Sequence, residues 1–367
     1  MAFVAAAVAI TARWGVRRVR LATAETAAVT SRRDVYALPL PPTHRFPSAK
    51  YAAVRSALAA HPAMADVAWR VAPPASRAQL VTTHTEEYVD AALGGLLSPE
   101  AVRATGFPWS PAGAVRATAS TGGTVAAALG VLAEGGGPRI AGQVAGGTHH
   151  AHADRGAGFC VFNDIAVATR VVQAVYPAAA ARVLIIDLDV HAGDGTASIF
   201  PPPSGHTPGT PLPRGTPAAP SVTTLSLHGE ANWPPVKPPS TYDLPMPDGA
   251  TDADVLSALA VAIPRAVAAA EPTLIFYQAG VDALAADTLG RLAMTPAGLR
   301  RRNRLVYRTA LSAGIPLVIT MGGGYTRPID ASVAAHADVY LDARAALREV
   351  PASPGSPSSS PVWNGTA

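Results

Sequence analysis

One segment constrains the fold of this chain more than any other: an apolar run at residues 183–186 leads directly into Asp187-Leu-Asp-Val-His191. Large aliphatic residues in a short run predict a buried strand of a parallel sheet. In an extended chain residues two apart share a face, so Asp187, Asp189 and His191 project to one side. Open α/β sheets place their ligands at the carboxyl ends of such strands.

A cation explains why two carboxylates and an imidazole would gather at this edge. Isolated ionised carboxylates cost several kcal/mol to bury, even after the surroundings relax. The alternative is an Asp–His pair in the core, followed by a turn at Gly193, Asp194 and Gly195. The segment alone leaves both readings open.

The rest of the chain alternates short apolar runs with longer amphipathic segments, which is typical of α/β domains. We predict a single three-layer α/β domain over residues 34–345, with a central, mainly parallel sheet flanked by helices. The predicted strands cover residues 139–144, 183–187, 222–227, 274–278 and 317–321. The predicted helices cover residues 114–133, 164–175, 252–270 and 296–312, the last with Thr295 as N-cap and Pro296 at its first position.

A pair of adjacent histidines, His149 and His150, follows the strand predicted at 139–144. Adjacent side chains point to opposite faces of a strand, so the two imidazoles are poorly placed to bind one metal together. If each is oriented by its own carboxylate, they form an acid/base pair instead. A histidine pair also occurs as surface or hydrogen-bonded core residues.

Two more polar residues follow predicted strands. Asp282 comes after the strand at 274–278 and is a natural third ligand beside Asp189 and His191. Tyr325 ends a run of three glycines after the strand at 317–321, where its hydroxyl can donate a hydrogen bond to an oxyanion.

Together these motifs resemble the zinc-dependent histone deacetylase family of the arginase/deacetylase superfamily, most closely its class IV and bacterial branch. The motifs that carry the resemblance span about residues 36 to 342. They are HRFPSAKY at 44–51, HTEEY at 84–88, GTHHAHADRGAGFCVFND at 147–164, DLDVHAGDGT at 187–196, SLHG at 226–229, QAGVD at 278–282 and GGGY at 322–325.

The resemblance implies a catalytic zinc site with open positions for water and substrate. Fe²⁺ would also be tolerated by such a carboxylate-rich site. The implied metal ligands are Asp189, His191 and Asp282. The implied catalytic residues are His150 as general base, His149 as its electrostatic or proton-shuttling partner, Asp187 and Asp194 as the carboxylates that orient them, and Tyr325 as the group that polarises the substrate carbonyl.

The resemblance also implies a narrow acyl-lysine tunnel and a structural potassium ion. The implied substrate-binding residues are Gly158, Phe159 and Leu289. Leu289 stands where the family commonly has Met, a change associated in the class IV branch with longer acyl chains. The implied K⁺ ligands are Asp187, Asp189, His191, Ser226 and Leu227.

The implied reaction is hydrolysis of the amide of N-acetyl-lysine, or of longer acyl-lysine, in proteins. A water molecule deprotonated by His150 attacks the carbonyl, and the amine leaves protonated. Alternatives within the fold are an amidohydrolase acting on small acetylated amines such as acetylpolyamines, and a non-catalytic scaffold that binds acyl-lysine. An arginase-like dinuclear manganese site fits less well, because Asp282 lacks the additional paired carboxylates that a second ion needs.

Charge is distributed unevenly along the chain. The net charge is +4, yet residues 1–33 alone contain six Arg and a single acid, Glu25, so the other 334 residues sum to about −1. The near-neutral charge of residues 34–367 argues against direct nucleic-acid binding by this part of the chain. The Arg-rich, acid-poor start is typical of a transit peptide, which predicts a plastid or mitochondrial location. A disordered basic leader, with a nuclear or cytoplasmic location, is the alternative.

Other regions restrict the fold less. One Cys among 367 residues excludes a disulfide scaffold. We expect a disordered Pro-rich insertion at 201–220 and a disordered tail at 346–367, and no apolar run of membrane-spanning length. The sequence leaves the oligomeric state open.

Overall fold

The computed structural model describes residues 26–30, 38, 40–41, 43–133, 139–207, 210 and 221–350. Residues 1–25 and 31–33 of the predicted leader lie outside the described residues, as do 208–209 and 211–220 of the predicted insertion and 351–367 of the predicted tail.

The described residues form an eight-stranded sheet in which every neighbouring pair is parallel. The α/β prediction is therefore confirmed, with a fully parallel sheet. The order across the sheet is β2-β1-β3-β8-β7-β4-β5-β6. The strands are β1 Thr26–Thr30, β2 Ala68–Val71, β3 Ile140–Gln143, β4 Arg182–Asp187, β5 Ser221–Gly229, β6 Tyr242–Met246, β7 Leu274–Gln278 and β8 Leu317–Thr320.

Ten α-helices connect and cover these strands within the described residues. They are α1 Lys50–Ala60, α2 Arg77–Leu80, α3 Glu86–Gly94, α4 Pro99–Thr105, α5 Pro111–Val131, α6 Asp164–Val175, α7 Asp194–Ile199, α8 Asp252–Ala270, α9 Pro296–Ser312 and α10 Asp330–Glu349. Three of the four predicted helices, α6, α8 and α9, have the predicted bounds. The Thr295 cap is confirmed by a 3.0 Å hydrogen bond from the Gly298 N–H to Thr295 Oγ1.

Both faces of the sheet are covered, which explains why the strands read as continuous apolar runs. Along β4, Leu184 and Ile186 pack with residues of α1, α8, α9 and α10. Val183 and Ile185 point the other way and pack with α3, α5 and α6. The result is the three-layer arrangement that the sequence predicts.

The ends of the domain differ from the sequence-based boundaries. Strand β1 lies between β2 and β3, although residues 26–30 belong to the predicted leader. Helix α10 runs to Glu349, four residues beyond the predicted end of the domain at 345. The sheet therefore begins inside the Arg-rich segment, and the last helix extends into the segment expected to be tail.

Helix α8 is long and apolar enough to cross a membrane, in contrast to the expectation that no run reaches that length. It packs against β4, β5, β6 and α9. Its buried residues Val255, Leu259, Ile263 and Ala266 recur at helical spacing along one face. In this fold α8 is thus part of the helical layer over the sheet.

The sheet order brings the polar motifs together. Strands β3, β8, β7 and β4 are consecutive neighbours, and the register pairs Asp187 with Gln278 and Gln278 with Thr320. Because all four strands are parallel, the segments that follow them emerge at the same edge.

Candidate active site

A buried carboxylate–imidazole group forms the centre of this edge. Asp189, His191 and Asp282 each present one ligand atom, and these atoms all lie within 4.8 Å of one another. His191 Nδ1 is 3.0 Å from Asp189 Oδ1 and 3.1 Å from Asp282 Oδ2. The structure thus brings together the three residues that the sequence predicts as metal ligands.

Backbone N–H groups hold the two carboxylates in place. The Gly323 N–H donates to Asp189 Oδ2 at 2.7 Å, and the Val190 N–H donates to Asp282 Oδ1 at 2.9 Å. Burial, together with the charge of Asp189, raises the pKa of Asp282 to about 7. Two buried carboxylates that face one imidazole are a donor set that suits a divalent cation with oxygen and nitrogen ligands.

Each histidine of the tandem pair has its own carboxylate, as predicted. His149 Nδ1 is 2.6 Å from Asp187 Oδ2, and His150 Nδ1 is 2.6 Å from Asp194 Oδ1. Asp194 is the first residue of α7, and Asp187 is the last residue of β4. An ionised carboxylate can only accept, so each imidazole carries a proton on Nδ1.

The pKa values of the two imidazoles are shifted in opposite directions. Burial by itself lowers the pKa of His149, but the negative charges of Asp187 and Asp189 outweigh it and raise the pKa to about 9. Burial also lowers the pKa of His150, and the charge of His149 adds to that effect, giving about 4. The two shifts favour the imidazolium form of His149 and the neutral form of His150 at neutral pH.

Tyr325 follows the three glycines at 322–324 and lies close to His191 and Phe159. Its ring centroid lies 6.4 Å from that of His191 and 6.2 Å from that of Phe159. Burial raises the pKa of Tyr325 well above its usual range, and the charges of Asp189 and Asp282 act in the same direction. The phenol consequently stays protonated and available as a hydrogen-bond donor.

A cavity of about 330 Å³ opens onto these groups. Gly158 and Phe159 belong to its lining, together with His149, His150 and Tyr325. Gly158 has φ +50°, and a Cβ there would lie 2.6 Å from the Trp233 ring and 2.7 Å from His150 Cδ2. The position therefore requires glycine for both conformation and space.

Trp233 is a neighbour of His150 that the sequence analysis missed. Its ring stands edge-on to His150 at a centroid distance of 4.7 Å, and 45% of the residue is exposed. The available signal was a Trp at the start of the Pro-rich stretch 233–239, shortly after the SLHG motif at 226–229. Leu289 is not among the residues that line the cavity, and its carbonyl accepts a 2.8 Å hydrogen bond from the Asn232 side chain, so its tunnel role stays a prediction.

Lys50 is a second missed residue, although it belongs to the HRFPSAKY motif. Its ammonium group is fully buried and donates to the carbonyls of Gly322 at 3.1 Å and Gly324 at 3.4 Å. The same group lies 5.0 Å from the centroid of the Tyr325 ring. Lys50 thus fixes the glycine run that carries Tyr325.

A larger cavity adjoins the first. It measures about 780 Å³ and shares Phe46, Tyr51, Gly146, Thr148 and Phe159 with the cavity at His149 and His150. The remainder of its lining is mainly apolar, including Leu38, Leu97, Val102, Phe107, Trp109, Val161 and Phe162.

The predicted potassium ligands are close in the sheet. Asp187 and Ser226 are register partners on β4 and β5, and Leu227 follows Ser226. Ser226 Oγ is 2.9 Å from His228 Nδ1. The arrangement is compatible with the predicted ion, which stays a prediction.

Comparisons with known proteins agree with this geometry. A family model described as Histone deacetylase domain matches residues 44–340. An uncharacterized protein of Picosynechococcus sp. is 39% identical over 309 residues, covering 84% of this chain and 96% of the relative. Histone deacetylase 2 of Arabidopsis thaliana is 27% identical over 303 residues, covering 80% and 73%. The crystal structure of the HDA15 HD domain has the same fold, with a TM-score of 0.66 and 21% identity over 89% of this chain and 94% of that one.

Proposed function

The chain belongs to the histone deacetylase family, and we propose that it is a Zn²⁺-dependent hydrolase of acetyl-lysine or longer acyl-lysine in proteins. Deacetylase-type hydrolysis is the activity of the family. The observation that carries the finer proposal is the convergence of three elements on one cavity: the Asp189–His191–Asp282 group, the free base His150 and the protonated phenol of Tyr325.

The chain's own residues supply binding and proton transfer. His150 Nε2 takes the proton of the attacking water as the new C–O bond forms, and it returns that proton to the amine when the C–N bond breaks. The cationic His149 provides fixed positive charge beside the developing oxyanion, and Tyr325 donates a hydrogen bond to it. A divalent cation held by Asp189, His191 and Asp282 would supply Lewis-acid polarisation and lower the pKa of water.

The proposed metal is based on the ligands that the site offers. Two carboxylates and one imidazole suit Zn²⁺, and the same set accepts Fe²⁺. We propose Zn²⁺ at this site and a structural K⁺ near Asp187, Asp189, His191, Ser226 and Leu227. Assignment to the class IV and bacterial branch belongs to the same proposal.

The larger cavity is the basis for a proposal about the length of the acyl group. Because it adjoins the catalytic cavity and is mainly apolar, we propose that acyl chains longer than acetyl are accepted, with their methylene groups in this space. Each buried methylene is worth about 0.8 kcal/mol, so a long chain would gain affinity there.

Turnover by the full chain tests the proposal most directly. The panel consists of fluorogenic acetyl-, trifluoroacetyl- and myristoyl-lysine peptides, with an N-acetylated diamine as the small-amine substrate. Metal analysis of the same preparation identifies the ion. Hydrolysis of the peptides, blocked by a hydroxamate, is expected. Turnover of the diamine alone would favour the small-amine reaction, and no bound metal with no hydrolysis would refute the enzyme.

The Arg-rich segment at residues 1–33 concerns the location of the protein and not its chemistry. We propose that it directs the protein to a plastid or mitochondrion. Because Thr26–Thr30 form a strand of the sheet, we further propose that any cleavage occurs before Thr26. A fluorescent fusion of residues 1–40 should label an organelle; a diffuse cytosolic signal would contradict this.

A further inference from the structure

A third histidine, His152, shares a carboxylate with the acid/base pair. His152 Nε2 is 3.2 Å from Asp194 Oδ2, while His150 Nδ1 is 2.6 Å from Asp194 Oδ1. His152 is only 7% exposed, and it does not line the catalytic cavity. Among the hydrogen bonds of the described residues, these two imidazoles are the partners of the Asp194 carboxylate.

The direction of the second hydrogen bond follows from the charge of Asp194. Burial by itself raises the pKa of Asp194, but the hydrogen bonds from His150 and His152 outweigh it and hold the pKa well below its usual range. An ionised carboxylate only accepts hydrogen bonds, so the His152 Nε2–H is the donor.

The other ring nitrogen is also satisfied. His152 Nδ1 is 2.7 Å from Ser198 Oγ, which in turn is 2.8 Å from the Gly195 carbonyl. Either the Ser198 hydroxyl donates to Nδ1 of a neutral ring, or it donates to Gly195 and the ring is an imidazolium. The proton on Nε2 is present in both arrangements.

The backbone around His152 is held on both sides. Its N–H donates to the Arg155 carbonyl at 2.8 Å. Its own carbonyl accepts a 2.9 Å hydrogen bond from His84 Nδ1. The imidazole is therefore a fixed donor and not a mobile surface group.

A carboxylate needs such a donor to keep its plane. The terminal torsion of Asp is broad and two-fold, so one hydrogen bond leaves the group free to turn about its Cβ–Cγ bond. With His150 on Oδ1 and His152 on Oδ2, that rotation is blocked. The direction in which His150 presents Nε2 then depends on both partners of Asp194.

We propose that His152 is a positioning residue of the acid/base pair: its donation to Asp194 Oδ2 fixes the carboxylate that orients His150. The proposal rests on the hydrolase function proposed above. His152 acts through Asp194 and does not contact the substrate.

Kinetics of two variants separate positioning from packing. His152→Phe removes the donor, whereas His152→Gln keeps an N–H at similar reach. Loss of one hydrogen bond to a charged group corresponds to about a tenfold or larger fall in kcat, so we expect that for His152→Phe, with KM within about twofold and bound metal unchanged. His152→Gln should recover most of kcat. His61→Phe, at an exposed histidine that caps a short 3-10 helix, is the matched control.

Two kinetic results would overturn the proposal. One is a His152→Phe enzyme with wild-type kcat. The other is equal impairment of His152→Phe and His152→Gln, which would indicate packing alone. If His152→Phe does not fold, His152→Met removes the donor with a more adaptable side chain.

A spectroscopic readout is independent of turnover. The short N–H···O bond of His150 to Asp194 should give a downfield, exchange-protected proton resonance in metal-free protein. We expect it in the wild type and His152→Gln, and its loss or broadening in His152→Phe. An unchanged resonance in His152→Phe overturns the proposal. If the wild type hydrolyses no substrate, the proposed function fails, and this resonance still decides the role of His152.

Discussion

The Asp287 carboxylate accepts a 2.6 Å hydrogen bond from the backbone N–H of Tyr325, which lies 38 residues later in the chain. The adjacent Thr288 hydroxyl donates to the Tyr325 carbonyl at 2.7 Å. Both backbone groups of Tyr325 are thus held by consecutive side chains of one loop. The same loop, residues 279–295, contains Asp282, so the backbone of Tyr325 is tied to the loop that carries one predicted metal ligand.

Loss of the Asp287 hydrogen bond to the Tyr325 backbone should lower kcat more than it weakens substrate binding. We expect Asp287→Ala to lower kcat by roughly tenfold to a hundredfold, because a misplacement of about 1 Å costs that much in a preorganised site. Asp287→Asn keeps an oxygen that can accept from Tyr325 and should lose less. Steady-state kinetics on an acetyl-lysine peptide decide this, with Thr288→Ser as control. Wild-type kcat in Asp287→Ala would show that this hydrogen bond is dispensable.

Loss of the phenol hydroxyl tests Tyr325 itself. Tyr325→Phe should reduce turnover by about a hundredfold or more, which is the typical effect of removing one oxyanion donor. The ring contacts with Phe159 and His191 remain possible, so the bound metal should stay at the wild-type level. Turnover and metal content are measured on the same preparation. Equal activity would remove the assigned role.

The motifs of the candidate site could be recognised from the sequence because each comes within a few residues of the end of a strand. The side chains of β4 divide between the two faces of the sheet, as the two-residue period of an extended chain predicts. The expectation that His149 and His150 point to opposite faces of a strand was wrong, because both lie in a turn after β3 and their ring centroids are 4.1 Å apart. Their separate carboxylates come instead from two different elements, Asp187 at the end of β4 and Asp194 at the start of α7. Lys50 was not assigned, because a lysine in a loop-to-helix motif gives no sign that its ammonium group will be buried under glycines 272 and 274 residues away.

Three other elements, β6, α10 and β1, were harder to predict because their sequence patterns are weak or mixed. Strand β6 contains Pro245 and, among the described strands, pairs only with β5, so its pattern is weak and its place depends on tertiary pairing. Helix α10 mixes buried charged residues such as Asp342 and Arg344 with alanines, which hides its apolar face. Strand β1 is short and lies in a segment whose arginines favoured a leader.

Metal removal should lower the thermal stability of the folded protein. Without a cation, Asp189 and Asp282 face each other with only the His191 imidazole between them. A ligand that binds only the folded state stabilises it by mass action, so chelator treatment should lower Tm and Zn²⁺ should restore it. His191→Ala should bind less metal and lose this difference. Identical melting curves with and without chelator would contradict a bound metal.

Stability should fall as pH drops from about 6.5 to about 4 because of His84. Its Nδ1 lies 2.9 Å from the His152 carbonyl, and its Nε2 accepts a 3.0 Å hydrogen bond from the Asn163 N–H, which requires the neutral ring. Burial lowers the pKa of His84 from 6.5 to about 4. The unfolded chain therefore binds more protons in this window, and the folded state loses up to about 3 kcal/mol through this one group. Chemical denaturation at pH 7.5 and 4.5 should show that His84→Gln costs clearly more stability at the higher pH; an equal cost at both would refute the linkage.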